Sequence, residues 1–172
     1  MKEAEMLKAG GVGIVPTDTL YGLLASAFSD QTVARVYELK GRSSDKKCII
    51  LISSIDDLKA FNVALVEEQR KVLTRLWPGP VSIVFHSGLS FRLPDDEQLI
   101  SFLKESGPCI APSANPEGLP PAETIEEAQK YFGDKVDFYI DGGKLSGLAS
   151  TLIKLDEQGD ITVLRQGVKE VV

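Results

Sequence analysis

The sequence is poor in the residues on which most metal and acid–base sites depend. Its 172 residues include one histidine, His86, and two cysteines, Cys48 and Cys109. Two cysteines exclude a disulfide scaffold, and the absence of paired ligands excludes a zinc site. A Ser-His-Asp triad would depend on His86, yet no Gly-x-Ser-x-Gly segment accompanies it. We therefore expect chemistry without histidine, with His86 as a partly buried strand residue and both cysteines as buried free thiols.

Long apolar runs and an excess of basic residues are also missing. No apolar run approaches the roughly 18 residues that cross a membrane, and the polar N-terminus, residues 1–6, does not resemble a signal peptide. We expect a soluble protein of the cytoplasm that begins near Met1 and makes no membrane contact. The net charge of −6 argues against a surface covered by nucleic acid, which binds through Lys and Arg. A local basic pocket remains compatible with this charge.

The order of apolar segments predicts one α/β domain over residues 1–172, a length that supports a sizeable core. Helices are predicted from about Asp30 to Gly41, over 66–76, after Asp95 and Asp96, and between Thr124 and Gly133. Strand-like runs occupy 12–15, 49–52, 81–85, 109–111, 138–140, 151–153 and 161–164. Because strands and helices do not alternate strictly near the end of the chain, we expect a mixed sheet flanked by helices.

Polar clusters occur where this pattern breaks, which is where α/β proteins carry their sites. Lys40 and Arg42 flank a glycine, and two such cations can close on one polyphosphate. Ser113 and Asn115 lie between two prolines, which would present a hydroxyl and an amide at fixed positions. Each cluster also has an ordinary explanation as a turn or a helix end. No Gly-x-x-x-x-Gly-Lys-Ser/Thr phosphate loop is present.

Taken in order, these clusters resemble the YrdC/TsaC family, which synthesises threonylcarbamoyl-AMP for the t6A modification of tRNA. The resemblance runs from about Gly11 to Gly167. The segments that carry it are Pro16-Thr17-Asp18-Thr19-Leu20-Tyr21-Gly22, Lys40-Gly41-Arg42, Trp77-Pro78-Gly79-Pro80, Pro112-Ser113-Ala114-Asn115, Asp141-Gly142-Gly143 and Leu164-Arg165-Gln166-Gly167.

The resemblance implies a twisted, open α/β sheet with a concave, positively charged face, and it implies roles for eight residues. Lys40 and Arg42 would be catalytic. The ATP-binding residues would be Lys40, Arg42, Asn115 and Arg165, and the threonine-binding residues would be Thr17, Arg92, Ser113 and Ser150. Mg²⁺ would enter with ATP, held by phosphates and water, with no protein metal site and no tightly bound cofactor. Bicarbonate would be the third substrate, and t6A-transferase proteins would receive the product.

The chain departs from the family pattern at several positions. Ser43 replaces a proline, no histidine lies near Leu51, and the segment between Phe85 and Arg92 is shorter than usual. Both Lys-x-Arg and Ser-x-Asn are intact, which favours the active enzyme. Two alternatives stay open: a non-catalytic module that contacts tRNA or double-stranded RNA in ribosome assembly, and a related carbamoyl-adenylate hydrolase.

Overall fold

A mixed β-sheet forms the centre of the molecule in the computed structural model, which describes residues 1–171. Its strands within those residues are β1 (Val12–Pro16), β2 (Tyr21–Ser26), β3 (Ile49–Leu51), β4 (Val81–Val84), β5 (Ser90–Arg92), β6 (Cys109–Ile110), β7 (Phe138–Tyr139), β8 (Thr151–Leu155) and β9 (Ile161–Arg165). They are hydrogen-bonded in the order β7-β1-β2-β6-β3-β5-β4-β8-β9. The sheet therefore places strands from the two ends of the sequence among those from its middle.

Parallel and antiparallel pairs are combined in this sheet. The β1–β7, β3–β5 and β4–β8 pairs are parallel, whereas β1–β2, β2–β6, β3–β6, β4–β5 and β8–β9 are antiparallel. The mixed sheet expected from the sequence is confirmed. Strands β1 and β2 form a short hairpin at the site described below, with Pro16 opposite Tyr21 and the turn Thr17–Leu20 between them.

Helices cover both faces of the sheet. They are α1 (Lys2–Lys8), α2 (Asp30–Lys40), α3 (Glu67–Leu76), α4 (Glu97–Ser106) and α5 (Ile125–Phe132), with short 3-10 helices at Ile55–Phe61 and Gly133–Lys135. Asp96 and Thr124 are the N-caps of α4 and α5, as their positions predict. Helix α2 begins at the cap Ser29 and ends at Gly41, whose φ of 61° favours glycine.

Two apolar clusters form the core, one on each face of the sheet. Neighbouring residues of a strand point to opposite faces. Accordingly Ile14 and Leu23 belong to the larger cluster, which packs against α2, α3 and α5, whereas Val15 and Leu24 belong to the smaller one, against α1 and α4. Burial on both faces explains why these strands are apolar throughout.

The structure corrects several expectations. Helix α1 and strands β2 and β5 were not predicted. His86 is not a partly buried strand residue: β4 ends at Val84, and His86 is exposed in the turn that leads to β5. Cys48 and Cys109 are buried free thiols, as expected. Among residues 1–171 no helix is long and apolar enough to cross a membrane.

Candidate active site

A cleft of about 180 Å³ lies on the sheet where the β1–β2 turn, the loop after α2 and the ends of several strands converge. Six of the eight residues predicted from the sequence line this cleft: Thr17, Arg42, Arg92, Ser113, Ser150 and Arg165. The other two, Lys40 and Asn115, are buried beside it and do not line it.

The β1–β2 turn is held in shape by Thr17. Its Oγ1 donates to the carbonyl of Leu20 at 2.6 Å and accepts the backbone N–H groups of Thr19 and Leu20, both at 3.2 Å. The Arg92 guanidinium also lies 3.4 Å from this oxygen. A hydroxyl with so many partners fixes the turn, and it leaves limited capacity for a ligand.

Tyr21, the first residue after this turn, fixes the Asp141-Gly142-Gly143 segment. Its hydroxyl donates to the Gly143 carbonyl at 2.7 Å and accepts the Gly142 N–H at 2.8 Å. A Cβ on Gly142 would lie 2.5 Å from the Pro16 side chain, so only glycine fits there. The Asp141-Gly142-Gly143 motif therefore supports the floor of the site through Tyr21.

Lys40 and Arg42 leave the end of α2 in different directions. The Lys40 amine is buried and donates to the carbonyls of Ser113 and Asn115, each at 2.6 Å. Burial, together with repulsion from Arg42, lowers the pKa of Lys40 from 10.5 to about 8. Arg42 donates to the carbonyls of Lys46 at 3.0 Å and Lys47 at 3.3 Å, and it faces the cleft. Lys40 thus holds the loop that presents Ser113.

Ser113 and Asn115 form a compact unit on that loop. The Ser113 hydroxyl donates to Asn115 Oδ1 at 2.6 Å, and Asn115 Nδ2 donates to the carbonyls of Pro116 and Leu119 at 3.0 and 2.9 Å. Ser113 also forms a bridge with Gly22 of β2. Ser113 reaches the cleft from a loop whose shape Asn115 and Lys40 maintain.

Arg92, the last residue of β5, is almost fully buried beside Asp18. Arg92 Nη2 lies 3.1 Å from Asp18 Oδ1, and the two side chains are 6% and 7% exposed. The contact lacks hydrogen-bond alignment, since within the described residues neither Asp18 Oδ1 nor Arg92 Nε has a hydrogen-bond partner. The pKa of Arg92 is lowered, mainly by burial and also by repulsion from the nearby Arg165. The Asp18 carboxylate acts in the opposite direction and raises this pKa.

Ser150 and Arg165 come from the far side of the cleft, at the start of β8 and the end of β9. The Ser150 hydroxyl is 2.8 Å from that of Ser82 on the neighbouring β4, and the Arg165 guanidinium donates to the Ser150 carbonyl at 2.9 Å. Gly167 allows the chain to turn back over β8, because a Cβ there would lie 2.3 Å from the Ala149 carbonyl oxygen.

The electrostatics of the cleft favour an anionic ligand. Arg42, Arg92, Arg165 and Lys47 all line it. Burial and repulsion from Arg42 lower the pKa of Arg165, which means that these cations destabilise one another in the absence of a counter-charge. A polyphosphate would relieve this repulsion, and its oxygens would match the fork of each guanidinium.

The described residues contain no group of three or more His, Cys, Asp and Glu that could hold a metal ion. Two charged residues at the cleft had no role assigned from the sequence. Lys47 follows the Lys-x-Arg motif in the cleft wall, and Asp18 lies within the quoted Pro16–Gly22 segment without an assigned role. The sequence feature that could have indicated Asp18 is a carboxylate between two threonines directly after a buried strand. The same residues also occur in ordinary turns, so this feature alone does not indicate a site.

Comparison with known proteins identifies the family. The family model for Sua5, YciO and YrdC, described as telomere recombination, matches residues 5–167. Threonylcarbamoyl-AMP synthase of Pyrococcus abyssi is 32% identical over 179 residues, which cover 95% of this chain and 52% of that protein. The Cellvibrio japonicus protein of the same name is 31% identical over 153 residues, 81% of each chain.

Solved structures agree with this match. P. abyssi Sua5 complexed with L-threonine superimposes with a TM-score of 0.87 at 31% identity, covering 96% of this chain and 53% of that one. E. coli YciO shares the fold, with a TM-score of 0.85 at 19% identity. The chain therefore spans about half the length of the P. abyssi protein. The family predicted from the sequence motifs is confirmed: this chain belongs to the Sua5/YciO/YrdC family.

Proposed function

We propose that the chain is a threonylcarbamoyl-AMP synthase, which converts L-threonine, bicarbonate and ATP into threonylcarbamoyl-AMP and pyrophosphate. The observation that carries the proposal is a cleft with three arginines and several hydroxyl groups around one small space. The names of the relatives agree with the enzyme class predicted from the sequence, a nucleotidyltransferase.

The phosphates of ATP would bind between Arg42 and Arg165. Both side chains donate only to backbone carbonyls in the described structure, so their charge is available to a polyanion. We assign Lys40 and Asn115 to the ATP site as well, although they lie behind the cleft wall and do not line it as Arg42 and Arg165 do. They would shape the loop that borders the nucleotide, since Lys40 donates to two carbonyls of that loop.

L-Threonine would bind at the end of the cleft that contains Arg92. A guanidinium matches the carboxylate of an amino acid, and the hydroxyl groups of Thr17, Ser113 and Ser150, which line the same cleft, would lie around the ligand. The buried Ser82–Ser150 pair would keep Ser150 in a fixed orientation.

The reaction needs alignment more than a strong base. The threonine amine and bicarbonate form a carbamate and water. A carbamate oxygen then attacks the α-phosphorus of ATP, the bond to the bridging oxygen breaks, and pyrophosphate leaves with its electron pair. The nucleophile is already anionic, so the protein contributes positioning and positive charge. The exposed position of His86 is compatible with such chemistry.

Mg²⁺ would accompany ATP and neutralise charge on the phosphates as pyrophosphate forms. The described side chains that line the cleft include cations and hydroxyls but no carboxylate, a set suited to an ion that the triphosphate carries. Transfer of the adenylate to t6A-transferase proteins and a location in the cytoplasm belong to the same proposal.

Pyrophosphate release with and without L-threonine tests the proposal. Purified protein would be incubated with Mg-ATP and bicarbonate, and Arg165→Ala would be compared with Arg75→Ala, which removes an exposed arginine of α3. We expect threonine-dependent release that Arg165→Ala lowers and Arg75→Ala does not. Release that ignores threonine would favour the hydrolase alternative. Salt-sensitive tRNA binding without ATP binding would favour the RNA-binding module.

A further inference from the structure

The Asp18–Arg92 contact differs from every other ion pair in the described part of the chain. Both of its side chains are at most 7% exposed. In each of the others, both side chains are at least 36% exposed. A carboxylate has therefore been buried at one end of the cleft, next to one of its three arginines.

Stability does not explain this arrangement well. The loss of hydration on burying two charges is comparable to their attraction, so buried ion pairs stabilise a fold little. The pairing here is also incomplete, because Arg92 Nε has no hydrogen-bond partner within residues 1–171. A buried donor without a partner is unfavourable, and Arg92 lines the cleft. A ligand carboxylate in the cleft could accept hydrogen bonds from this guanidinium and offset its charge.

The three arginines are held in two different ways. Arg42 and Arg165 donate to carbonyls and have no carboxylate within ion-pair distance among the described residues. Arg92 is the one of the three that has a carboxylate, that of Asp18, within ion-pair distance in the described residues. Such a group suits a ligand with one negative charge better than a chain of phosphates.

Asp18 is itself held from two sides. Its backbone belongs to the turn that Thr17 stabilises, and its Oδ2 accepts the backbone N–H of Asp95 at 3.3 Å. One carboxylate oxygen thus faces Asp95 and the other faces Arg92. An asparagine cannot replace both, since in either orientation its NH₂ group would face a donor.

We infer that Asp18 is a positioning residue for substrate: its buried carboxylate fixes the Arg92 guanidinium at the threonine end of the cleft. The inference rests on the proposed function, and it assigns to Asp18 an effect on threonine and not on ATP.

Steady-state kinetics of Asp18→Asn would test it, with L-threonine and Mg-ATP varied separately. We expect the KM for threonine to rise by at least about tenfold, because loss of one partner of a buried ion pair leaves the other charge uncompensated and free to move, and the KM for ATP to stay within about twofold. Asp95→Asn is the matched control, because it removes a neighbouring exposed carboxylate and keeps the backbone N–H that Asp18 accepts. In an Arg92→Met background, which removes the guanidinium and its charge, Asp18→Asn should change the threonine KM by less than about twofold, since it acts through Arg92.

The outcomes separate the inference from the proposed function. If the wild type shows threonine-dependent release and Asp18→Asn keeps its threonine KM, or raises both KM values equally, the inference is overturned and the function stands. If the wild type shows no dependence on threonine, both are overturned. Should Asp18→Asn not fold, Asp18→Glu replaces it. Glutamate keeps the charge but shifts the carboxylate by one methylene, so an unchanged threonine KM would contradict a positioning role.

Discussion

Lys40 makes the stability of the protein depend on pH in a way that one substitution can isolate. The residue is 3% exposed, and its amine donates to two carbonyls of the 113–115 loop. Its pKa falls from 10.5 to about 8 on folding. Between these values the unfolded chain binds more protons than the folded one, so stability rises with pH. Below about pH 8 both states are protonated, and the cost of burying the charge is fully present.

The size of the effect follows from the two pKa values. Their difference corresponds to about 3 kcal/mol in total, at 1.36 kcal/mol per unit. Integrated from pH 7 to pH 9.5, the folded state gains about 2 kcal/mol. The neutral amine still has two N–H donors for its two carbonyl partners, so the loop geometry is retained as the charge is lost.

Urea unfolding of the wild type and Lys40→Met at pH 7 and pH 9.5 would measure this gain. Trp77, the only tryptophan, is buried and reports unfolding by its fluorescence. The unfolding free energy of the wild type, minus that of Lys40→Met, should rise by about 2 kcal/mol over this interval. Lys104→Met, which removes an exposed lysine of α4, controls for the loss of one positive charge.

A difference that stays constant within about 0.5 kcal/mol, or that falls as the pH rises, would refute the reasoning. It would mean that the two carbonyl contacts stabilise the protonated amine enough to cancel the effect of burial.

Two further predictions concern single residues at and away from the site. Gly167→Ala should lower the unfolding free energy by about 1–3 kcal/mol and weaken ATP binding in calorimetry. The new Cβ would meet the backbone of Ala149 and displace Arg165 from Ser150. An unchanged ATP affinity would show that this turn does not position Arg165 for ATP. His86→Ala should leave threonine-dependent pyrophosphate release within about twofold of the wild type, since His86 is exposed in a turn; a large loss would assign it a role that its position does not explain.

Much of the fold was predictable because apolar runs and helix ends carry local signals. Ser29 and Gly41 bound α2 as capping rules require. Strand β2 was missed because the residues just before it, Thr17–Leu20, were interpreted as part of a polar site. The apolar run that begins at Tyr21 was included in that site and was not recognised as a strand. His86 was misplaced because nothing local shows that β4 ends two residues earlier.

The site was predictable in composition and less so in geometry. Motif order identified six residues that line the cleft, yet no local pattern shows that Lys40 turns inward to the 113–115 loop. That direction depends on the pairing of β2 with β6 and on the Gly22–Ser113 bridge. The partner of Arg92 was hidden for the same reason, because Asp18 lies in the β1–β2 turn and Arg92 lies on β5, which neighbours neither of those strands in the sheet.

The interleaved strand order has a consequence for folding. Thr17 and Arg165 meet in one cleft only when strands from both ends of the sequence have joined the same sheet. A ligand bound there should therefore slow hydrogen exchange in strands far from it, at amides that open only in global unfolding. At a concentration of 100 times Kd, the added protection amounts to about 2.7 kcal/mol. Substrate bound at this cleft would therefore stabilise the whole folded sheet and not only the residues that it touches.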